Sequence, residues 1–140
     1  PPGTGDVAIS LGQLLPTAKS LVITTPQAAA SEVALRSGAL GIQTGQEVFG
    51  VIENMSWLEN QDGSRTELFG NGGGKALADH FAAPLLGQVP LSINLREGSD
   101  RGEPIVLNNP TDPSSQAVSN IAKKMIESKL DLKGKRLPLA

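Results

Sequence analysis

The chain has 140 residues, a formal net charge of −2, 39% hydrophobic and 19% charged residues. That is one domain's worth of chain, able to bury roughly 70% of its unfolded surface. With no cysteine and one histidine, His80, it cannot build a disulfide framework, a thiolate metal site or a multi-histidine zinc site of its own. No apolar run approaches the roughly 18 residues of a membrane span, and mild acidity with three Phe, one Trp and no Tyr argues against a nucleic-acid surface.

The opening residues, Pro1-Pro2-Gly3-Thr4-Gly5-Asp6, form a loop dense in Pro and Gly, with no initiator Met and no basic or apolar leader. The expectation is a C-terminal piece of a longer protein rather than a processed small domain with a ragged start. The glycines allow close backbone approach to an anion and Thr4 adds a hydroxyl, so the composition leaves both a phosphate-sensing loop and a plain turn open. Asp6 is placed to cap a helix over Val7–Leu15, apolar at Val7, Leu11, Leu14 and Leu15 and stopped by Pro16. Ser20–Thr25 is a β-branched run read as a buried parallel strand, Thr25-Pro26-Gln27 a turn, and Gln27–Ile42 an Ala-rich helix weakened by Gly38 and Gly41.

Glu47–Asn54 reads as a second buried strand. Asn54 at its end can offer donor and acceptor to a base edge, or only tie its own loop backbone. From Trp57 to Phe69 the alternation breaks, and Asp62-Gly63 predicts a hairpin turn between strands near 57–59 and 65–68. The Gly70–Gly74 run precedes a helix over Lys75–Ala82. It is either a connector and helix cap or an anion nest, and it fits neither the P-loop nor the dinucleotide fingerprint. His80 reads as a surface residue. Leu85–Val89 is a third core strand closed by Pro90. Ser92–Asp100 holds a helical turn or two, with Arg96 facing a phosphate or paired with Glu97 or Asp100. Pro104–Leu107 reads as extended. A last amphipathic helix spans Pro113–Lys129, capped by Asp112, with Ala117, Val118, Ile121, Ala122, Met125 and Ile126 on one face. Residues 130–140 read as a loose basic tail. Strands alternating with helices predict an α/β protein built on a mostly parallel sheet, with ligands at the carboxyl ends of its strands.

Six segments stand in a family's order: PPGTGD at 1–6, TTPQ at 24–27, GVIENMSW at 50–57, FGNGGG at 69–74, LLGQVPL at 85–91 and REGSDRGEPIV at 96–106. From residue 1 to about 129 the sequence resembles the Mrp/ApbC proteins, P-loop ATPases of the MinD/ParA type that carry iron–sulfur clusters. The resemblance implies the C-terminal part of a doubly wound sheet with an inserted β-hairpin. It also implies a cytoplasmic homodimer that sandwiches ATP and Mg²⁺, serving iron–sulfur client or assembly proteins without nucleic acid or a membrane span. It assigns Gly3, Thr4, Gly5 and Asp6 to the switch II loop, with Gly3 at the nucleotide, Asn54 to adenine, and Pro90 and Leu91 to the adenine-side rim.

Two departures accompany it. The phosphate loop with its lysines and the magnesium-linked aspartate fall upstream of Pro1 in the family, so the implied activity is that of a longer parent, and these residues alone are expected to be inactive. The family's Cys-x-x-Cys pair follows ENMS, and Leu58–Ser64 contains none, so no metal ligand is assigned and a bound cluster is in doubt. The alternatives are a MinD/ParA-like regulatory or positioning ATPase without a cluster and a non-enzymatic α/β interaction module. In either case the hairpin is expected to serve a dimer or partner contact anchored by Trp57 and Phe69.

Overall fold

The computed structural model describes residues 5–15 and 17–130. Gly3 and Thr4, Pro16 as a helix stop, and the tail from residue 131 lie outside the described residues. The elements run α1 (Asp6–Leu14), β1 (Lys19–Thr24), α2 (Ala28–Gln43), β2 (Glu47–Glu59), β3 (Arg65–Thr66), α3 (Gly73–His80), β4 (Leu85–Leu91), α4 (Ile93–Arg101), α5 (Ile105–Asn108) and α6 (Pro113–Leu130).

The sheet is mixed and mostly parallel. β2 lies between β1 and β4 and runs parallel to both, while its last residues pair antiparallel with β3. Parallel strands joined by helical crossovers must be covered on both faces, which explains the near-continuous apolar runs in β1 and β2. On one face Val22, Val48 and Val51 pack with Ala34 of α2 and with Leu77 and Ala78 of α3. On the other, Leu86 and Val89 pack with Ile121 of α6, flanked by Leu21, Phe49 and Ile52.

Several expectations change in detail. Gly5 rather than Asp6 is the N-cap of α1, and Asp6 is its first helical residue, where an acidic side chain favours the positive helix end. Pro104–Leu107 is not extended: Pro104 caps a single helical turn, α5, too short for any periodicity to reveal. The segment after Pro90 is a full nine-residue helix, capped by the Ser92 hydroxyl accepting from Leu95 N–H at 3.1 Å. β4 continues through Pro90 to Leu91. Proline is tolerated there because β4 has only β2 as a strand partner among the described residues. β2 runs to Glu59 rather than ending at Asn54, because a break in its pairing with β4 between Asn54 and Leu58 carries the chain into the hairpin.

Candidate functional site

The point within β2 where its pairing with β4 is interrupted is shaped by three consecutive devices. Glu53 is buried, with 1% of its surface exposed. Asn54 Oδ1 accepts the Met55 N–H at 3.0 Å, and Met55 takes φ 55°, the left-handed region that a non-glycine residue enters at a cost of about 1 to 3 kcal/mol. Ser56 Oγ then donates to the Glu53 carbonyl at 2.9 Å. The two polar side chains satisfy backbone groups that the interrupted ladder releases, and so hold the kink. Asn54 Nδ2 makes no hydrogen bond among the described residues, which leaves an amide donor to offer.

Asn54 lines a mainly apolar cavity of about 800 Å³ that runs between α1, β1 and α2 and reaches Thr24 and Thr25 at the end of β1. The parallel register sets Thr24 opposite Glu53, so the end of β1 meets the interrupted part of β2 at one mouth. Thr24 Oγ1 donates to the Thr25 carbonyl at 3.0 Å. Of the other site residues, Gly5 and Asp6 are exposed at the start of α1. Pro90 is buried in β4 and lines a separate groove with Trp57. Leu91 is half-buried and stands in register with Leu58. Asn54 and the β1 end are thus brought together, while Pro90 and Leu91 sit on the far side of β2.

The residue that sequence reasoning passed over is Glu53. Its Oε2 accepts the Gly74 N–H at 2.6 Å and its Oε1 accepts from Gln88 Nε2 at 2.7 Å. One carboxylate therefore ties β2 to the first turn of α3 and to β4. The glycine run supplies the geometry. Gly72 caps α3 at φ 81°, and a Cβ on Gly74 would lie 2.6 Å from Glu53 Cβ, so only glycine lets the helix end approach this closely. The acceptor held at the glycine-rich turn is the protein's own Glu53 side chain. The sequence did carry a signal, a lone carboxylate in a β-branched strand two residues beyond Val51, which is fully buried.

Elsewhere the quieter readings hold. Arg96 pairs with Glu97 and Asp100, both at 3.0 Å and exposed, contacts worth little in water. Lys75 bonds Asp79 on α3. His80 is exposed and meets Phe81 edge-on at 5.1 Å. The hairpin closes with a five-residue loop, 60–64, rather than a two-residue turn. Asp62 Oδ1 accepts from the Ser64 N–H and hydroxyl at 2.9 and 2.6 Å, bonds that hold its carboxyl below the ordinary value. Asn60 Nδ2 donates to Ser64 and Thr66, both at 2.9 Å. At the hairpin's tip Asn60, Asp62, Ser64 and Thr66 are thus spent on each other, and among the described residues no group of three or more His, Cys, Asp or Glu side chains could hold a metal ion.

Comparison with known proteins places this architecture in a family. The model for ParA, the NUBPL iron-transfer P-loop NTPases, matches residues 1–126, and the chain belongs to that family. It is 47% identical to an iron-sulfur cluster carrier protein of Mycobacterium leprae, over 99% of this chain and 38% of the relative. It is 41% identical to one of Bacillus subtilis, over 94% of this chain and 37% of the relative. The chain therefore spans less than two-fifths of the length of these curated relatives. Among solved structures, MinD of Aquifex aeolicus superposes with a TM-score of 0.59 at 24% identity, covering 91% of this chain and 48% of that one, a likeness of fold. A nucleotide-binding protein from Archaeoglobus fulgidus, solved in complex with ADP, matches at 31% identity and a TM-score of 0.57, over 71% of this chain and 41% of that one.

Proposed function

We propose that this chain supplies the base-recognition end and part of the switch loop of an ATP-hydrolysing iron–sulfur carrier that works as a homodimer. The observation that carries the reading is Asn54. It stands within the central strand where the pairing with β4 is interrupted, Met55 after it is kinked, its Nδ2 is unspent, and it lies at a cavity mouth beside Thr24 and Thr25. The amide donor suits a ring nitrogen of adenine. The kink costs energy that a plain strand end would not require, which supports a positioning role. Membership of a P-loop family and the ADP-bound relative support the same assignment.

In this reading Gly5 and Asp6 belong to the loop facing the γ-phosphate, with Gly3 and Thr4 preceding them. Pro90 and Leu91 support the base pocket from the β4 side. Bound ATP with Mg²⁺ supplies the transferable phosphoryl group. The described residues fit its base and not its phosphates: Lys75 is engaged with Asp79, and Glu53 already occupies the glycine-rich turn. The phosphate cradle and the metal ligands belong to the rest of the parent protein.

The test is ATP binding by the full-length protein. Asn54→Ala should weaken binding by about 1 to 3 kcal/mol, the cost of leaving a polar base edge unpaired, while thermal unfolding stays cooperative. Unchanged affinity in a folded variant would remove Asn54 from the site.

A further inference from the structure

The outer side of β4 carries a second concave surface, of whose lining the nucleotide reading uses only Pro90. It is a groove of about 330 Å³, with Trp57 and Arg65 of the hairpin on one wall and Gln116, Asn120 and Lys124 of α6 on the other. The three α6 residues recur every four positions and so share one helix face. β4 itself is closed to strand addition at two points, because Lys124 Nζ donates to the Leu86 carbonyl at 2.7 Å and Pro90 has no N–H to give. A ligand in this groove is read by side chains.

The groove's polar groups are under-used. The Arg65 guanidinium lies over the Trp57 ring, 4.1 Å from its centroid. Arg65 stands in register with Glu59, yet the described ion pairs include neither residue. Its position is therefore fixed by the aromatic face while its hydrogen-bonding fork stays unspent. Trp57 Nε1 is buried with no acceptor among the described residues. Gln116 Nε2 makes one long bond, 3.3 Å to the Thr111 carbonyl, and the Asn120 amide makes none that is described. Arg65 and Lys124 face a single carboxylate, Glu59, on a chain whose net charge is −2.

We propose that this groove docks an extended acidic peptide segment of a partner protein. A carboxylate side chain of the peptide lies against Arg65 and Lys124, and its backbone meets the amides of Gln116 and Asn120. The spacing favours a peptide over a small dicarboxylate. Four residues of helix rise about 6 Å, close to the roughly 6.6 Å between alternate residues of an extended chain, so successive amides meet successive like-facing backbone groups. The apolar base, with Pro90, Ala117 and the Trp57 ring, suits the peptide's uncharged positions.

Isotope-labelled full-length protein is titrated with the blocked peptide Ac-Ala-Asp-Ala-Glu-Ala-amide, with its Asn/Gln counterpart, and with glutarate. The Trp57 indole N–H resonance, assigned by its loss in Trp57→Phe, reports occupancy, and calorimetry gives affinity. The acidic peptide should move the resonance saturably and bind about tenfold more tightly than the neutral peptide. Arg65→Gln and Asn120→Ala, both exposed positions, should each weaken it by about fivefold or more while circular dichroism stays unchanged. Three results would overturn the proposal: no saturable shift up to about 1 mM peptide, equal binding of the neutral peptide, or unaltered affinity in Arg65→Gln. Glutarate binding as tightly as the peptide would overturn it as well, by assigning the groove to small dicarboxylates.

Discussion

Two buried carboxylates do different work in this protein. Glu53 makes no ion pair among the described residues and lives on two neutral donors, the Gly74 N–H and Gln88 Nε2. Glu53→Ala strands both donors and should cost about 2 to 4 kcal/mol of stability. Glu53→Gln keeps an acceptor for Gly74, and Gln88 can turn its amide to meet the new one, so the loss should stay below about 1 kcal/mol. Denaturant unfolding of the two variants separates them, and equal losses would show that charge rather than hydrogen-bond count matters at this junction. Gly74→Ala should destabilise by about 1 to 3 kcal/mol, because its Cβ would meet Glu53 Cβ at 2.6 Å. Asp112 caps α6. Burial alone would raise its pKa, but the Ser114 hydroxyl, the Asn94 amide and the N–H groups of Ser114 and Ser115 together hold it below the ordinary 3.8. A carboxylate depressed in the fold stabilises above its unfolded pKa, and the contribution is lost as pH falls through the folded value. The unfolding midpoint should therefore drop as pH falls from about 5 to below 3.8. Asp112→Asn should cost about 1 kcal/mol at neutral pH and flatten that dependence.

At the scale of elements, the hairpin stands where the resemblance to the Mrp/ApbC proteins implies a cysteine pair, and the sequence has no cysteine there. Glu59 and Asp62 offer only hard oxygen donors, and Asp62 is already bonded to Ser64. We expect iron and sulfide reconstitution of the full-length protein, read by absorbance and bound iron, to leave no cluster that depends on residues 57–69. A stoichiometric cluster lost on substituting this hairpin would reveal an unusual ligand set here. The order and type of the main elements were legible because each announces itself locally: β-branched runs for the strands, and Asp112 as a cap before the apolar face of α6. What escaped was non-local. The extension of β2 past Asn54 depends on Met55 accepting φ 55°, which no pattern of apolar residues encodes. Glu53 could be seen as an oddity in its strand, but not as the partner of a glycine 21 positions away. Of the candidate site, Asn54 was legible as the point where the apolar run of β2 stops, and the parallel register sets the end of β1 beside it. Pro90 read as a strand terminator, and only the free side of β4 made it a strand residue.

For the whole molecule, the uncovered side is the one facing away from β2 across β1. β1 has no strand partner on its outer edge among the described residues, and Ile23 on it is 59% exposed. The apolar positions of α1 that predicted an amphipathic helix, Val7, Leu11, Leu14 and Leu15, are also exposed, Leu14 at 77%. Between α1, β1 and α2 the apolar cavity of about 800 Å³ stays open. An unpaired strand edge beside a contiguous apolar patch is a surface that proteins normally cover. We expect the portion of the parent that carries the phosphate cradle to cover the β1 edge and the α1 stripe, leaving open the mouth beside Asn54, Thr24 and Thr25. These 140 residues expressed alone should therefore self-associate, with an apparent mass in light scattering that rises with concentration and a broad thermal transition. Ile23→Lys places a charge on the open edge without touching the core, and should shift the population toward monomer. A wild-type chain that stays monomeric and melts in one sharp transition would show that this face needs no cover. In that case the apolar stripe of α1 would have a different partner, or none.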